Sequence, residues 1–192
     1  LDEIETLKPD LVVIATGATR TSPNIPGKNL SHVFDGEELR NLLFSSDTKI
    51  LEKLSFFQSL ILRIGRLSQL LRNITLLRFM SKFWMPFAQN ITIIGGDLVG
   101  LELAEFLLVR GRNVTVLEPS KNLGINLSIV RRARLIHQLK EQGANLITDA
   151  HVNEINKKSV NYIANEIGSS CIADQVIIAL GANSNDYLSR EI

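Results

Sequence analysis

The chain has 192 residues, 45% of them apolar and 21% charged, enough to bury one sizeable core with appendages and too few for two full domains. Its 21 Lys and Arg nearly balance 20 Asp and Glu, for a net charge of +1, so the chain as a whole carries no field that would favour nucleic acid. One cysteine, Cys171, excludes an internal disulfide, a CxxC redox pair and a cysteine-ligated iron–sulfur cluster within these residues, and His32, His137 and His151 are too scattered for a metal-ligand pattern.

The sequence opens at Leu1 in polar residues, with neither an initiator Met nor a signal peptide, and is expected to be a piece of something longer. "DLVVIATGAT" from Asp10 has the acidic start, β-branched run and terminal glycine of a buried strand, and it has a twin in "DQVIIALGAN" from Asp174. Each is expected to close a nucleotide-binding domain, which leaves the first copy without the domain it should close. Residues 48–87 form a different region, with apolar residues at spacings of three and four, as in Leu60, Ile61, Ile64, Leu67 and Leu71. That spacing predicts amphipathic helices, and charges interrupt them too often for a membrane span. Lys49, Lys53, Arg63, Arg66, Arg72, Arg78 and Lys82 stand there against Glu52 alone. The region reads as a helical cover on a neighbouring domain, as an interfacial membrane helix, or as a face for an acidic partner or nucleic acid. Trp84, Met85 and Pro86 are expected to end it.

The second half has a regular α/β rhythm. Strand Ile91 to Ile94, helix Leu98 to Arg110, strand Val114 to Leu117, helix Ser128 to Gln142 and strand Asn145 to Thr148 predict a βαβαβ unit, and right-handed crossovers make its strands parallel. Gly111 and Gly143 follow the helices where a left-handed C-terminal cap is needed, and Ser128 is placed to cap the second helix. Short alternating stretches, "HVNEI", "SVNYI" and "SSCIA", then predict a small antiparallel meander. The glycosylation sequons at Asn90 and Asn113 begin strand-like runs where a glycan would block the sheet, so a cytoplasmic location is expected.

The first of those turns carries the chemistry. In "ITIIGGDLVGLELAEFL", Gly95, Gly96 and Gly100 sit between an apolar strand and an amphipathic helix, the arrangement that cradles a dinucleotide pyrophosphate. The usual pattern has a third glycine where this chain has Asp97. A carboxylate about 5 Å from a phosphate charge costs on the order of 3 kcal/mol at an effective dielectric of 20. The same position suits a helix N-cap, in which the side chain folds back on the helix's own N–H groups and competes with pyrophosphate for them.

Together "VVIATGA", Pro23-Asn24-Ile25-Pro26-Gly27, "IIGGDLVGLELAEFL", "VTVLE" and "VIIALGANSN" resemble the two-dinucleotide flavoprotein reductases. With the helical insert and "WMP", the chain is similar to the C-terminal half of the 2,4-dienoyl-CoA reductase and enoate reductase (NADH:flavin oxidoreductase) family. The resemblance implies an α/β fold, a Rossmann-like three-layer domain with a parallel sheet and β-meander, plus the helical insert. It implies a flank, 1–47, carrying the closing strand of a truncated FAD domain; a basic insert, 48–89; an NAD(H)-binding domain, 90–183; and a return segment, 184–192. It further implies NAD(H) as cofactor, FAD in the full-length protein but not retained by this chain, and an N-terminal flavin barrel as partner in the same polypeptide. The whole protein would pass hydride from NADH to FAD and reduce activated C=C bonds, with no catalytic residue in this chain.

At the matching positions, Gly95 and Gly96 would form the turn, Gly100 would let the helix pack closely on the strand, and N–H groups around Leu98 and Val99 would face phosphate. Glu118, ending the second strand, would accept hydrogen bonds from the adenosine ribose and repel a 2′-phosphate, with Lys121 nearby opposing that preference. Gly181 would bring backbone close to the cofactor, or simply end its strand. Two other readings remain: a non-catalytic interaction module with its nucleotide site disabled by Asp97, and a piece of a peripheral membrane NADH dehydrogenase anchored by the insert.

Overall fold

The computed structural model describes residues 6–20, 23–36, 38–39, 85 and 87–191. The helical reading of 48–87 therefore lies, but for Met85 and Phe87, outside the described residues. The chain divides into a larger unit, Ser22–Leu180, and a smaller one, Leu1–Thr21 with Gly181–Ile192.

In the larger unit the strands are β2 (Val33–Asp35), β3 (Asn90–Ile94), β4 (Asn113–Leu117), β5 (Asn145–Ile147), β6 (Ala150–Ile155), β7 (Ser159–Ala164), β8 (Ile167–Ile172) and β9 (Gln175–Ile178). The helices are α1 (Leu98–Leu108) and α2 (Ile129–Glu141). A five-stranded sheet in the order β2-β9-β3-β4-β5 is parallel throughout. Alternation along the buried strands supplies both faces. Ile91, Ile93, Val114, Val116 and Ile177 pack with Leu101, Ala104, Leu107, Leu135 and Leu139 of the helices. Ile94, Leu117, Val176 and Ile178 pack with Ile155, Val160 and Tyr162 of the antiparallel sheet β6-β7-β8. The result is three layers, with helices on one face of the parallel sheet and the meander on the other.

Both helices end as their glycines require. Gly111 (φ 73°) and Gly143 (φ 84°) are left-handed, and Arg112 N–H donates to Leu107 O while Ala144 N–H donates to Leu139 O, at 3.1 and 2.9 Å, which closes each last turn. Ser128 does occupy the N-cap of α2, but its side chain makes no capping bond.

Two features differ from the sequence-based expectation. Residues 23–36, placed by sequence in the flank, belong to the larger unit: Ile25 and Leu30 pack on its second core, Ile155 N–H donates to Pro26 O at 2.9 Å, and β2 extends the parallel sheet. In the smaller unit, β1 (Ala18–Arg20) pairs antiparallel with β10 (Ala182–Ser184), ahead of a short helix, α3 (Tyr187–Glu191). The run from Leu11 to Ile14 forms no strand, and Leu11 and Val13 are 78% and 80% exposed. A strand exists only where a neighbour accepts its backbone hydrogen bonds, and none of the described residues pairs with this segment. Its twin, β9, lies between β2 and β3 and is buried throughout.

Among the described residues no helix is long and apolar enough to cross a membrane.

Candidate functional site

The turn between β3 and α1 is built from glycines that nothing larger could replace without movement. Gly95 has φ +112°, and a Cβ there would lie 2.6 Å from Ala179 O at the end of β9. A Cβ on Gly100 would lie 1.9 Å from Gly95 O, and one on Gly96 would lie 2.4 Å from the Leu123 side chain. These contacts draw the first turn of α1 against the end of β3, with Gly95 N–H donating to Leu117 O at 2.8 Å. Leu98, Val99 and Gly100 open the helix, so their N–H groups have no carbonyl partner four residues back within it. The helix dipole favours negative charge at the same place.

Glu118 follows β4 directly and ties this turn to the next loop. Its Oε2 accepts from Gly96 N–H at 2.6 Å and its Oε1 from Ser120 N–H at 2.9 Å. Each carboxylate oxygen has a second lone pair, so the side chain keeps acceptor capacity for a hydroxyl while both bonds fix its orientation. Gly124 N–H donates to Gly96 O at 2.8 Å, a second tie between loop and turn.

Asp97 departs from its expected pose. It occupies the N-cap with extended backbone (φ −92°, ψ −166°) and its carbonyl accepts from Leu101 N–H at 2.9 Å, yet its side chain makes no capping bond. Instead Asn126 donates to it twice, from Nδ2 to Oδ2 at 2.5 Å and from its backbone N–H to Oδ1 at 3.2 Å. The carboxylate thus points to the β4–α2 loop, because a side-chain amide and a backbone N–H together outbid the helix's own donors.

The structure brings Gly95, Gly96, Asp97, Leu98, Val99, Gly100 and Glu118 together. Gly181 belongs to the smaller unit, has no left-handed φ, and a Cβ there would meet nothing within 4 Å; nothing local requires glycine. Sequence reasoning missed Ser120, Leu123, Gly124 and Asn126. The turn-forming Gly and Asn residues of 119–128 signalled a loop, but not that it folds back over the glycine turn.

Other ionisable groups lie away from this turn. Burial pushes the Cys171 thiol up from its usual range, and its Sγ lies 3.5 Å from Thr92 Oγ1. Burial also lowers the His32 pKa; its Nε2 donates to Asn156 O at 3.0 Å.

The chain is similar to known proteins in sequence and fold. The chain is 24% identical over 181 residues to the NADH oxidase of Thermoanaerobacter brockii, covering 94% of this chain and 22% of that protein. It is 34% identical over 106 residues to the nitric oxide reductase FlRd-NAD(+) reductase of Vibrio vulnificus (strain CMCP6), covering 54% of this chain and 28% of that one. The chain therefore spans between about a fifth and somewhat over a quarter of these relatives. Among solved structures, a 2-naphthoyl-CoA reductase complexed with 2-naphthoyl-CoA matches the fold with a TM-score of 0.58 at 23% identity, over 98% of this chain and 23% of that one. The family model for pyridine nucleotide-disulphide oxidoreductases matches residues 2–192, and the chain belongs to that family.

Proposed function

We propose that the larger unit is the NAD(H)-binding lobe of a flavoprotein oxidoreductase, and that the rest of the whole protein supplies FAD and the acceptor site. Homologues in this family use NAD(H) and FAD. The observation that carries the reading is the glycine turn itself: Gly95 and Gly100 leave no room for a Cβ, and the tight turn and close helix–strand packing they allow set the N-terminus of α1 at the end of β3, where such domains bind a pyrophosphate. Leu98, Val99 and Gly100 would offer N–H groups to phosphate, while Glu118, oriented by Gly96 and Ser120, would accept from the ribose diol. A carboxylate there disfavours a 2′-phosphate, so NADH is preferred over NADPH.

When bound, reduced nicotinamide supplies a hydride to a flavin; this chain's residues bind and orient. Cys171 is the chain's one cysteine, so no dithiol of this chain takes part. The motifs shared with the 2,4-dienoyl-CoA and enoate reductases support reduction of an activated C=C bond as the whole protein's reaction, with a flavin barrel preceding this chain. The interaction-module reading had Asp97 competing for the helix donors, and the bonds from Asn126 weaken its premise.

The test is a titration of the purified chain with NADH and NADPH, read by nicotinamide fluorescence. Saturable NADH binding, weaker NADPH binding and no co-purifying flavin are expected. No NADH binding at millimolar concentration would reject the reading, and a stoichiometric flavin would overturn the assignment of FAD to other parts of the protein.

A further inference from the structure

Asp97 places a carboxylate at the mouth of a site built for an anion. Its backbone is already extended as in an N-cap, so side-chain rotation alone would carry the carboxylate onto the N–H groups of Val99 and Gly100, the donors an N-cap side chain reaches. Those are also the donors a pyrophosphate needs. Left to itself, Asp97 would both occupy them and bring its charge against the ligand.

Asn126 prevents this. Its Nδ2 donates to Oδ2 at 2.5 Å and its N–H to Oδ1 at 3.2 Å, so each oxygen is engaged from the loop side. That loop is anchored independently of Asp97, through Gly124 N–H to Gly96 O at 2.8 Å and Leu123 packed against Gly96. Asn126 is therefore presented by a segment already fixed on the turn, and the pair spans 29 residues of sequence.

Resting on the dinucleotide reading above, we infer that Asn126 is a positioning residue: it holds the Asp97 carboxylate off the first-turn N–H groups of α1 and so keeps them open for the cofactor's pyrophosphate. The chain tolerates Asp97 in a dinucleotide turn because Asn126 restrains it.

Asn126→Ala removes the 2.5 Å bond and leaves the 3.2 Å one. The carboxylate, held by one bond in place of two, then competes as a cap, and NADH affinity should fall about fivefold, within the range one cap bond supplies. Two further measurements separate positioning from general loop damage. Adenosine, which has no phosphate, should bind Asn126→Ala and the unmodified chain alike, as followed by NMR shifts. Asp97→Gly in the Asn126→Ala background should restore NADH affinity to at least the unmodified level. Unchanged NADH affinity in Asn126→Ala, equal losses for NADH and adenosine, or no rescue by Asp97→Gly would each overturn the inference while leaving the cofactor site standing. Failure of the unmodified chain to bind NADH would instead reject the site and the inference with it.

Discussion

Replacing Gly100 with Ala sets two effects of opposite sign against each other. The new Cβ would lie 1.9 Å from Gly95 O, about 1.5 Å inside ordinary van der Waals contact. Neither side can yield by rotating a side chain, since the clash is between a Cβ and a backbone oxygen, and a backbone shift is resisted by the bonds from Gly95 N–H to Leu117 O and from Leu101 N–H to Asp97 O, at 2.8 and 2.9 Å. Overpacking typically costs about 1–3 kcal/mol, and a backbone neighbour puts this case near the upper end. Helix propensity acts the other way and returns at most about 1 kcal/mol. The expected net loss is thus about 2 kcal/mol. In urea unfolding followed by far-ultraviolet circular dichroism, a slope of about 2 kcal/mol/M converts that to a midpoint about 1 M lower. NADH affinity should fall as well, since α1 must back away from the turn. An unchanged or higher midpoint, as in an open helical position, would refute the close approach of α1 to the end of β3.

Glu118→Ala removes the acceptor for Gly96 and Ser120 N–H, and should weaken NADH by about 1–3 kcal/mol while narrowing its advantage over NADPH; equal affinity of the unmodified chain for both nucleotides would sink the assignment. Gly181→Ala, where an added Cβ meets nothing, should alter folding by less than about 0.5 kcal/mol; a loss of NADH affinity with folding intact would instead give Gly181 the cofactor contact that the family resemblance implies. Asp174 accepts from Lys158 Nζ at 2.9 Å and Asn90 Nδ2 at 2.7 Å, and these bonds, Lys158 foremost, hold its carboxyl below the usual range. Its contribution to stability is full above the ordinary carboxylate range and is lost as pH falls through the depressed value. The stability gap between the unmodified chain and Asp174→Asn should therefore shrink on acidification; a gap constant from neutral pH to about pH 2 would contradict that linkage.

The βαβαβ unit was legible because its signals are local. Gly111 and Gly143 mark helix ends by conformation, and the short apolar runs of β3 and β4 between helical stretches mark the strands. Three features were hidden for one reason: their determinants are distant in sequence. β2, three residues long, has no periodicity to read and exists because β9 accepts it as a parallel neighbour. The run from Leu11 to Ile14 reads as well as β9 does, yet composition cannot tell a run that finds a sheet from one that does not. At the site, the glycines and Glu118 were legible as types at a spacing. The direction of Asp97 was not, since the choice between capping α1 and meeting Asn126 is made by a loop 29 residues away.

Amide hydrogen exchange of the chain with and without saturating NADH tests the central claim most directly, because it locates the ligand as well as detecting it. The account predicts added protection at residues 95–100 and at Glu118 and Ser120, with little change along the outer meander strand β8. Protection absent from the glycine turn while NADH demonstrably binds elsewhere, or no exchange difference at millimolar NADH, would contradict it.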